Sequence, residues 1–272
     1  MRALFVLFVL SGVAADSARA QPPVTTALGP TLDLTHPFDA STIYWPTEEG
    51  FVLERGTEGV TEAGYYYAAH RMRLAEHGGT HMDAPIHFHA GGSTAERVPL
   101  DRLIARAVVV DVREPCAKDV DHAVDVADLQ RFEAAHGRIP DGAALLLLTG
   151  FAARWPDRVR YLGTDERGAA AVAKLHFPGL DPAAARWLVA NRKVAAVGLD
   201  TASIDPGTST RFESHQILFA AEIPAFENLA NVEQLPPTGA TLIALPMKIA
   251  GGSGGPLRAV AVLPSSGSGA PR

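Results

Sequence analysis

The sequence of 272 residues contains one cysteine, Cys116. A single thiol closes no internal disulfide, so core packing must hold the chain together. No nucleophile signature surrounds Cys116, which reads as a half-buried spectator. Runs of like charge are also missing. Lysine and arginine total 24 against 30 acidic residues, a formal net charge of −6. That balance excludes nucleic acid and an anionic membrane as main partners. Beyond the first twenty residues no apolar stretch is long and unbroken enough to span a bilayer. No internal repeat is visible.

What is present is ordinary globular composition, 47% hydrophobic and 20% charged. At this length one large domain with a sizeable core is expected. Arg2, the apolar stretch Leu4 to Val13 and the small residues of Ser17-Ala18-Arg19-Ala20 have the order of a signal peptide, residues 1–20, cleaved near Ala20. The expectation is therefore an exported protein, periplasmic or secreted. Residues 21–30, rich in Pro, Thr and Gly, read as a flexible mature terminus. The Ser/Gly/Pro-rich residues 264–272 read as a disordered tail. The domain is expected over 31–263.

Within it, Thr31 to Thr35 alternates as a strand and His36-Pro37 breaks it. Tyr44-Trp45-Pro46 falls in a loop, and Tyr65 to Ala75 begins β-friendly. Ala107 to Val112, Ala143 to Thr149 and Val194 to Asp200 are apolar runs of the kind buried on both faces of a sheet. Asp125 to His136 and Asp181 to Asn191 carry helical periodicity, the second with Asp181 as N-cap and Pro182 at its first position. Thr241 to Pro246 and Leu257 to Leu263 flank a glycine-rich turn as a hairpin. Alternating strands and helices in the middle predict an α/β or α+β class.

Residues 77–87 read HGGTHMDAPIH. His77, His81, Asp83 and His87 share one parity, so an extended chain points them to one face. Gly78, Gly79 and Pro85 exclude a helix, and with it the histidine pair of helical zinc proteases. Clustered imidazoles and a carboxylate suit zinc, manganese or iron as divalent ions. Further ligands can come from His215, Glu222 or Glu227, and spacing does not choose between the two glutamates. Such an ion brings the pKa of water it binds toward ~7 and polarises a carbonyl, while a nearby imidazole can carry the proton.

The segment HGGTHMDAPIHF resembles the HxGTHxDxPxH signature of the cyclase-type metal-dependent hydrolases, a family that includes bacterial kynurenine formamidases and isatin hydrolases. Asp33-Leu-Thr-His, Tyr44-Trp45-Pro46, the stretch from His215 to Asn228 and Lys248-Ile-Ala-Gly-Gly-Ser-Gly extend the likeness over about residues 31–263. The resemblance implies a single α/β domain of the swivelling β/β/α type, with a mixed sheet and flanking helices, in a homodimer or homotetramer. It implies His77, His81 and Asp83 as ligands of a first metal. Asp83 would bridge to a second position held by His215 and Glu227, and His87 would be the acid/base. One or two ions of zinc or manganese are implied. The substrate class is a small aromatic amide or lactam, isatin-like or N-formylkynurenine-like; Lys174-Leu-His-Phe-Pro-Gly179 is closer to the isatin hydrolase branch.

Trp45, Phe88 and Phe219 are candidates for an aromatic pocket. His36 is a candidate for orienting a ligand, while His70, His89, His122, His136 and His176 are expected outside the site. Gly251-Gly-Ser253-Gly-Gly255 fits the G-x-S-x-G pattern of serine hydrolases, but no helix and no Asp, Glu or His follows it. An exported metal- or ligand-binding protein of the same fold without catalysis is the competing class, against which His87 stands.

Overall fold

The apolar runs form the staves of a closed sheet. The computed structural model describes residues 29–264, so the expected targeting segment, nearly all of the expected mobile terminus and the tail beyond residue 264 lie outside the described residues. Eight strands make the main sheet: Thr31–Asp33 (β1), His81–Asp83 (β2), Ile104–Asp111 (β3), Ala144–Leu148 (β4), Ala196–Leu199 (β5), Ala225–Glu227 (β6), Thr238–Pro246 (β7) and Gly254–Val262 (β8). Their order is β1-β8-β7-β3-β4-β5-β6-β2, and β2 returns to pair with the start of β8. Seven strands thereby close a ring, with β1 added along the far end of β8. The neighbours from β3 through β6 are parallel; the remaining junctions are antiparallel.

The period of two explains why the central runs carry no polar face. Ala107, Val109, Ala144, Leu146, Leu148 and Ala196 join Met82, Phe226, Leu242 and Ala259 in one core, enclosed by the ring. Their neighbours Val108, Val110, Leu145, Leu147, Val197 and Leu199 enter a second core under the helices. The longest helices are Val126–His136 (α1), Pro182–Asn191 (α2) and Glu213–Ala220 (α3). Asp125 caps α1 through a reciprocal capping box with Asp128, and Asp181 accepts from the Ala183 N–H to cap α2. This is the single α/β domain with a mixed sheet and flanking helices that the resemblance implied. The expected hairpin is present as β7 and β8, each strand beginning three residues earlier than expected, at Thr238 and Gly254.

One feature departs from expectation. Residues 52–73 leave the domain as an arm: Val52–Glu54 pairs with Arg71–Arg73, and Glu58–Val60 with Tyr66–Ala68. Only the second half of that arm carries a β-friendly run; Gly56, Gly59 and interspersed charges break the pattern of the first half. No helix among the described residues is long and apolar enough to cross a membrane.

Candidate metal centre and active site

The site is built where β2, β6 and β8 meet. In β2 the pleat sends Met82 into the ring and turns His81 and Asp83 to the opposite face. β6 lies antiparallel to it, with Glu227 opposite His81 and Phe226 opposite Met82. Phe226 therefore fills the core and Glu227 joins the histidine. This register selects between the two glutamates: Glu222 lies outside the cluster and accepts from the Ser93 N–H.

His77 and His87 reach the same place by other means. Only the strand residues His81 and Asp83 share a face by parity, since His77 precedes β2 and His87 ends a 3-10 turn, Pro85–His87. Gly78 bridges to Tyr44, and a Cβ there would stand 2.1 Å from the Tyr44 ring. Gly254 faces Asp83 across the β2–β8 pairing, where a Cβ would lie 2.6 Å from His77 Cε1. Only glycine lets the backbone come this close to the imidazole.

The side chains converge. His77 Nδ1 is 2.6 Å from Asp83 Oδ1, and His81 Nε2 is 3.1 Å from the same oxygen and 3.5 Å from Glu227 Oε2. His215, on α3, has Nε2 3.2 Å from both Asp83 Oδ2 and Glu227 Oε1. The His87 ring stacks on His77 with centroids 3.7 Å apart. Two groups, His77–Asp83–His87 and His81–Asp83–Glu227, have ligand atoms close enough together to hold an ion. His81, Asp83, His215 and Glu227 are all buried.

Each imidazole is aimed. His81 Nδ1–H donates to the Gly79 carbonyl at 3.0 Å, which leaves Nε2 facing the carboxylates. That Nε2 is buried and makes no well-directed hydrogen bond. His215 Nδ1–H donates to Asp205 Oδ2 at 2.6 Å. Asp205 also accepts the Ser214 and His215 N–H groups, two otherwise unpaired donors of the first turn of α3. Tyr161 donates to Asn228 Oδ1, and Asn228 donates to the Gly79 carbonyl, bracing the acceptor that orients His81.

The electrostatics point the same way. Burial opposes charge on His81, yet Asp83 and Glu227 outweigh it and lift the imidazole to about 9. Burial and the Asp83 charge push the Glu227 carboxyl up. Two buried carboxylates here demand positive charge, and a divalent cation meets that demand with the donors present: imidazole nitrogens and carboxylate oxygens. The residues fit such an ion. His87 differs: burial outweighs its neighbouring carboxylate and lowers it to about 4, so it is neutral near pH 7.

Above the cluster opens a cavity of about 370 Å³ lined by Tyr44, Trp45, Phe88, Phe212 and the site residues. Trp45 and Phe88 line it. Phe219 does not line it: one helical turn beyond His215, it is fully buried in the core beneath, packed on His215 and Phe88. Phe212 takes its place at the cavity. The sequence singled out neither Phe212 nor Asp205; both lie in a loop without periodicity, 200–212. His36 stacks on Trp155 and orients no ligand. His122 and His176 pair with Asp128 and Asp121 away from the site. Burial pushes the Cys116 thiol up to about 12, as suits a spectator. Ser253 lies in the loop between antiparallel strands, not on a strand–helix elbow. Its partners come from upstream: Oγ donates to Glu76 Oε2 at 2.6 Å and is 2.9 Å from His77 Nε2.

A closed α/β sheet with a buried histidine–carboxylate centre beside two antiparallel strands, β2 and β6, defines an enzyme-like class with one deep polar site. Comparison with known proteins narrows the class. The putative cyclase family model matches residues 32–206, which take in the 77–87 motif and Asp205. The chain is 33% identical over 211 residues to an isatin hydrolase from Roseibium aggregatum, covering 75% of this chain and 78% of the relative. It is 33% identical over 195 residues to a kynurenine formamidase from Salinibacter ruber, covering 70% and 77%. The solved structure of isatin hydrolase A from Ralstonia solanacearum superposes with a TM-score of 0.76 at 32% identity, covering 86% of this chain and 92% of that one. This chain belongs to the putative cyclase family.

Proposed function

We propose that this protein is a metal-dependent hydrolase that opens a small aromatic amide or lactam, isatin-like or N-formylkynurenine-like. One observation carries the reading: His81 and His215 direct Nε2 atoms at two buried carboxylates on the floor of an aromatic-edged cavity. The names of the relatives, isatin hydrolase and kynurenine formamidase, supply the substrate class. His77, His81 and Asp83 would hold one ion, and Asp83, His215 and Glu227 a second position, with zinc or manganese suited to these donors. Bound there, a divalent ion supplies Lewis acidity that activates water and polarises a carbonyl.

The chain's own groups do the rest. Neutral His87 accepts the proton of the attacking water and returns it to the nitrogen as the C–N bond breaks and the C–O bond forms. Trp45 and Phe88 wall the cavity and exclude water from one face of the substrate. The test is a panel of isatin, N-formylkynurenine and simple carbamates, run with zinc and with manganese, before and after chelation. Activity should vanish on chelation and return with metal. Turnover that survives both chelation and His81→Ala refutes the reading.

One contact favours a second reading. Ser253, His77 and Asp83 are connected as in a Ser–His–Asp relay. Against it, the Ser253 proton is directed to Glu76. Chelation-resistant activity abolished by Ser253→Ala would establish that alternative.

Residues 1–20 direct export, tested by sequencing the mature terminus for a start near Gln21. The arm formed by residues 52–73 joins two copies of the chain through its exposed tyrosines.

A further inference from the structure

Phe212 stands in a conformation that a phenylalanine rarely adopts. Its φ is +50°, in the left-handed region, directly before the first residue of α3. A Cβ and a bulky ring make that region costly, and a residue stays there only when its surroundings require it. Nothing in the capping of α3 does. Glycine or asparagine would serve this position with less strain, and Phe212 contributes no side-chain cap. What the conformation achieves is the position of the ring. It lies 6.0 Å from Trp45, 5.2 Å from Phe88 and 6.1 Å from His215, and it lines the cavity. The backbone is pinned from behind, since the Phe212 N–H donates to Ser209 Oγ.

The three rings bound the cavity beside the histidine–carboxylate cluster. Phe212 packs tilted on Phe88 and edge-on to Trp45, so the three rings form one aromatic wall whose cavity side offers ring faces to a planar aromatic guest. A saturated ring would fill the space without matching those faces. We infer that Phe212 is the specificity-determining residue of this pocket, held in a left-handed conformation so that its ring selects a planar aromatic substrate. The inference deepens the function proposed above and rests on it for the location of the site.

The experiment compares Phe212→Gly, Phe212→Ala and Phe212→Leu with the unaltered protein, all loaded with manganese. Calorimetric titration with isatin and with 2-pyrrolidone, a non-aromatic lactam, gives the affinities, and thermal melting gives the strain. The expected result is that each variant binds isatin about five- to tenfold more weakly, with 2-pyrrolidone affinity within about twofold. Phe212→Gly should melt about 2–4 °C above Phe212→Ala, because glycine relieves the left-handed strain. Equal loss for both ligands, unchanged isatin affinity, no isatin binding by the unaltered protein, or a melting order with alanine at or above glycine would each overturn the inference. Isatin that binds with this pattern but is never hydrolysed would sink the hydrolase reading and leave the role of Phe212 standing.

Discussion

His87 and Asp205 act on the cluster in different ways, and substitution separates them. His87 stacks on His77 and touches the cavity, with no hydrogen bond to a carboxylate. If it carries the proton, His87→Gln should lower kcat by ~10²–10⁴ with metal content unchanged, read by elemental analysis beside turnover. Metal lost in proportion to activity would instead make His87 a ligand. Asp205 is a positioning residue, since it holds His215 Nδ1–H and never faces the cavity. Asp205→Asn keeps the shape but weakens that acceptor, so metal affinity should fall ~10–100-fold in competition with a chelator. Affinity equal to that of the unaltered protein would show that His215 needs no such brace. The motif made His77, His81, Asp83 and His87 legible because chemistry and spacing are written locally there. Spacing alone did not choose Glu227 over Glu222, and only the resemblance named it, because the choice is made by its pairing opposite His81, a contact between residues 146 positions apart. Asp205 and Phe212 left no local signal at all. Phe219 misled for the opposite reason, as an apolar residue near a motif looks alike whether it faces a cavity or a core.

Elements were legible where burial is uniform or caps are explicit. The runs at 107, 144 and 196 are continuous because both faces of those strands are covered. The helix α1 announces itself through its periodicity, and α2 through Asp181 as its N-cap. The arm was half-read, since a two-stranded ribbon in solvent needs no apolar face. One tie between elements carries a prediction. Glu133 on α1 accepts from Arg192, at the end of α2, at 2.6 Å through two nitrogens, and from the Ile139 N–H at 2.8 Å. The Arg192 hydrogen bond outweighs partial burial and holds the Glu133 carboxyl below its ordinary 4.5. A carboxyl lowered on folding contributes stability above its unfolded value, and that contribution fades as pH falls through the folded value. Glu133→Gln should therefore cost about 1–2 kcal/mol at pH 7, and the gap from the unaltered protein should narrow as pH falls below 4.5. Urea titrations at pH 7, 5 and 3.5 measure it. A gap that is constant across this range would mean the pair acts through shape and not charge.

At the scale of the molecule, the arm is the feature that a lone chain does not explain. It exposes Val60 at 74%, Tyr65 at 60%, Tyr66 at 63% and Met72 at 55%, with Leu53 and Tyr67 about half exposed. Aromatic side chains bury 150–250 Å² each when covered, so these six residues offer an area on the order of 500–700 Å². A stable interface takes about 800 Å² from each partner, and the arm supplies most of that. At its base runs an apolar groove lined by Phe38, Phe51, Met72, Leu74, Leu245 and Met247, with the Asp33–Arg258 ion pair at its rim. The arm's tip residues Val60, Tyr65, Tyr66 and Tyr67 do not line this groove. A patch and a groove on one chain, each unfilled by the other, form a self-complementary pair, the requirement of a two-fold dimer. Sedimentation of the unaltered protein at micromolar concentration should give a dimer. Joint substitution of Tyr65, Tyr66 and Tyr67 by serine should give a folded monomer with its helical circular dichroism retained. A monomeric unaltered protein, or a triple variant that stays dimeric, would place the interface elsewhere and leave those exposed rings to another partner.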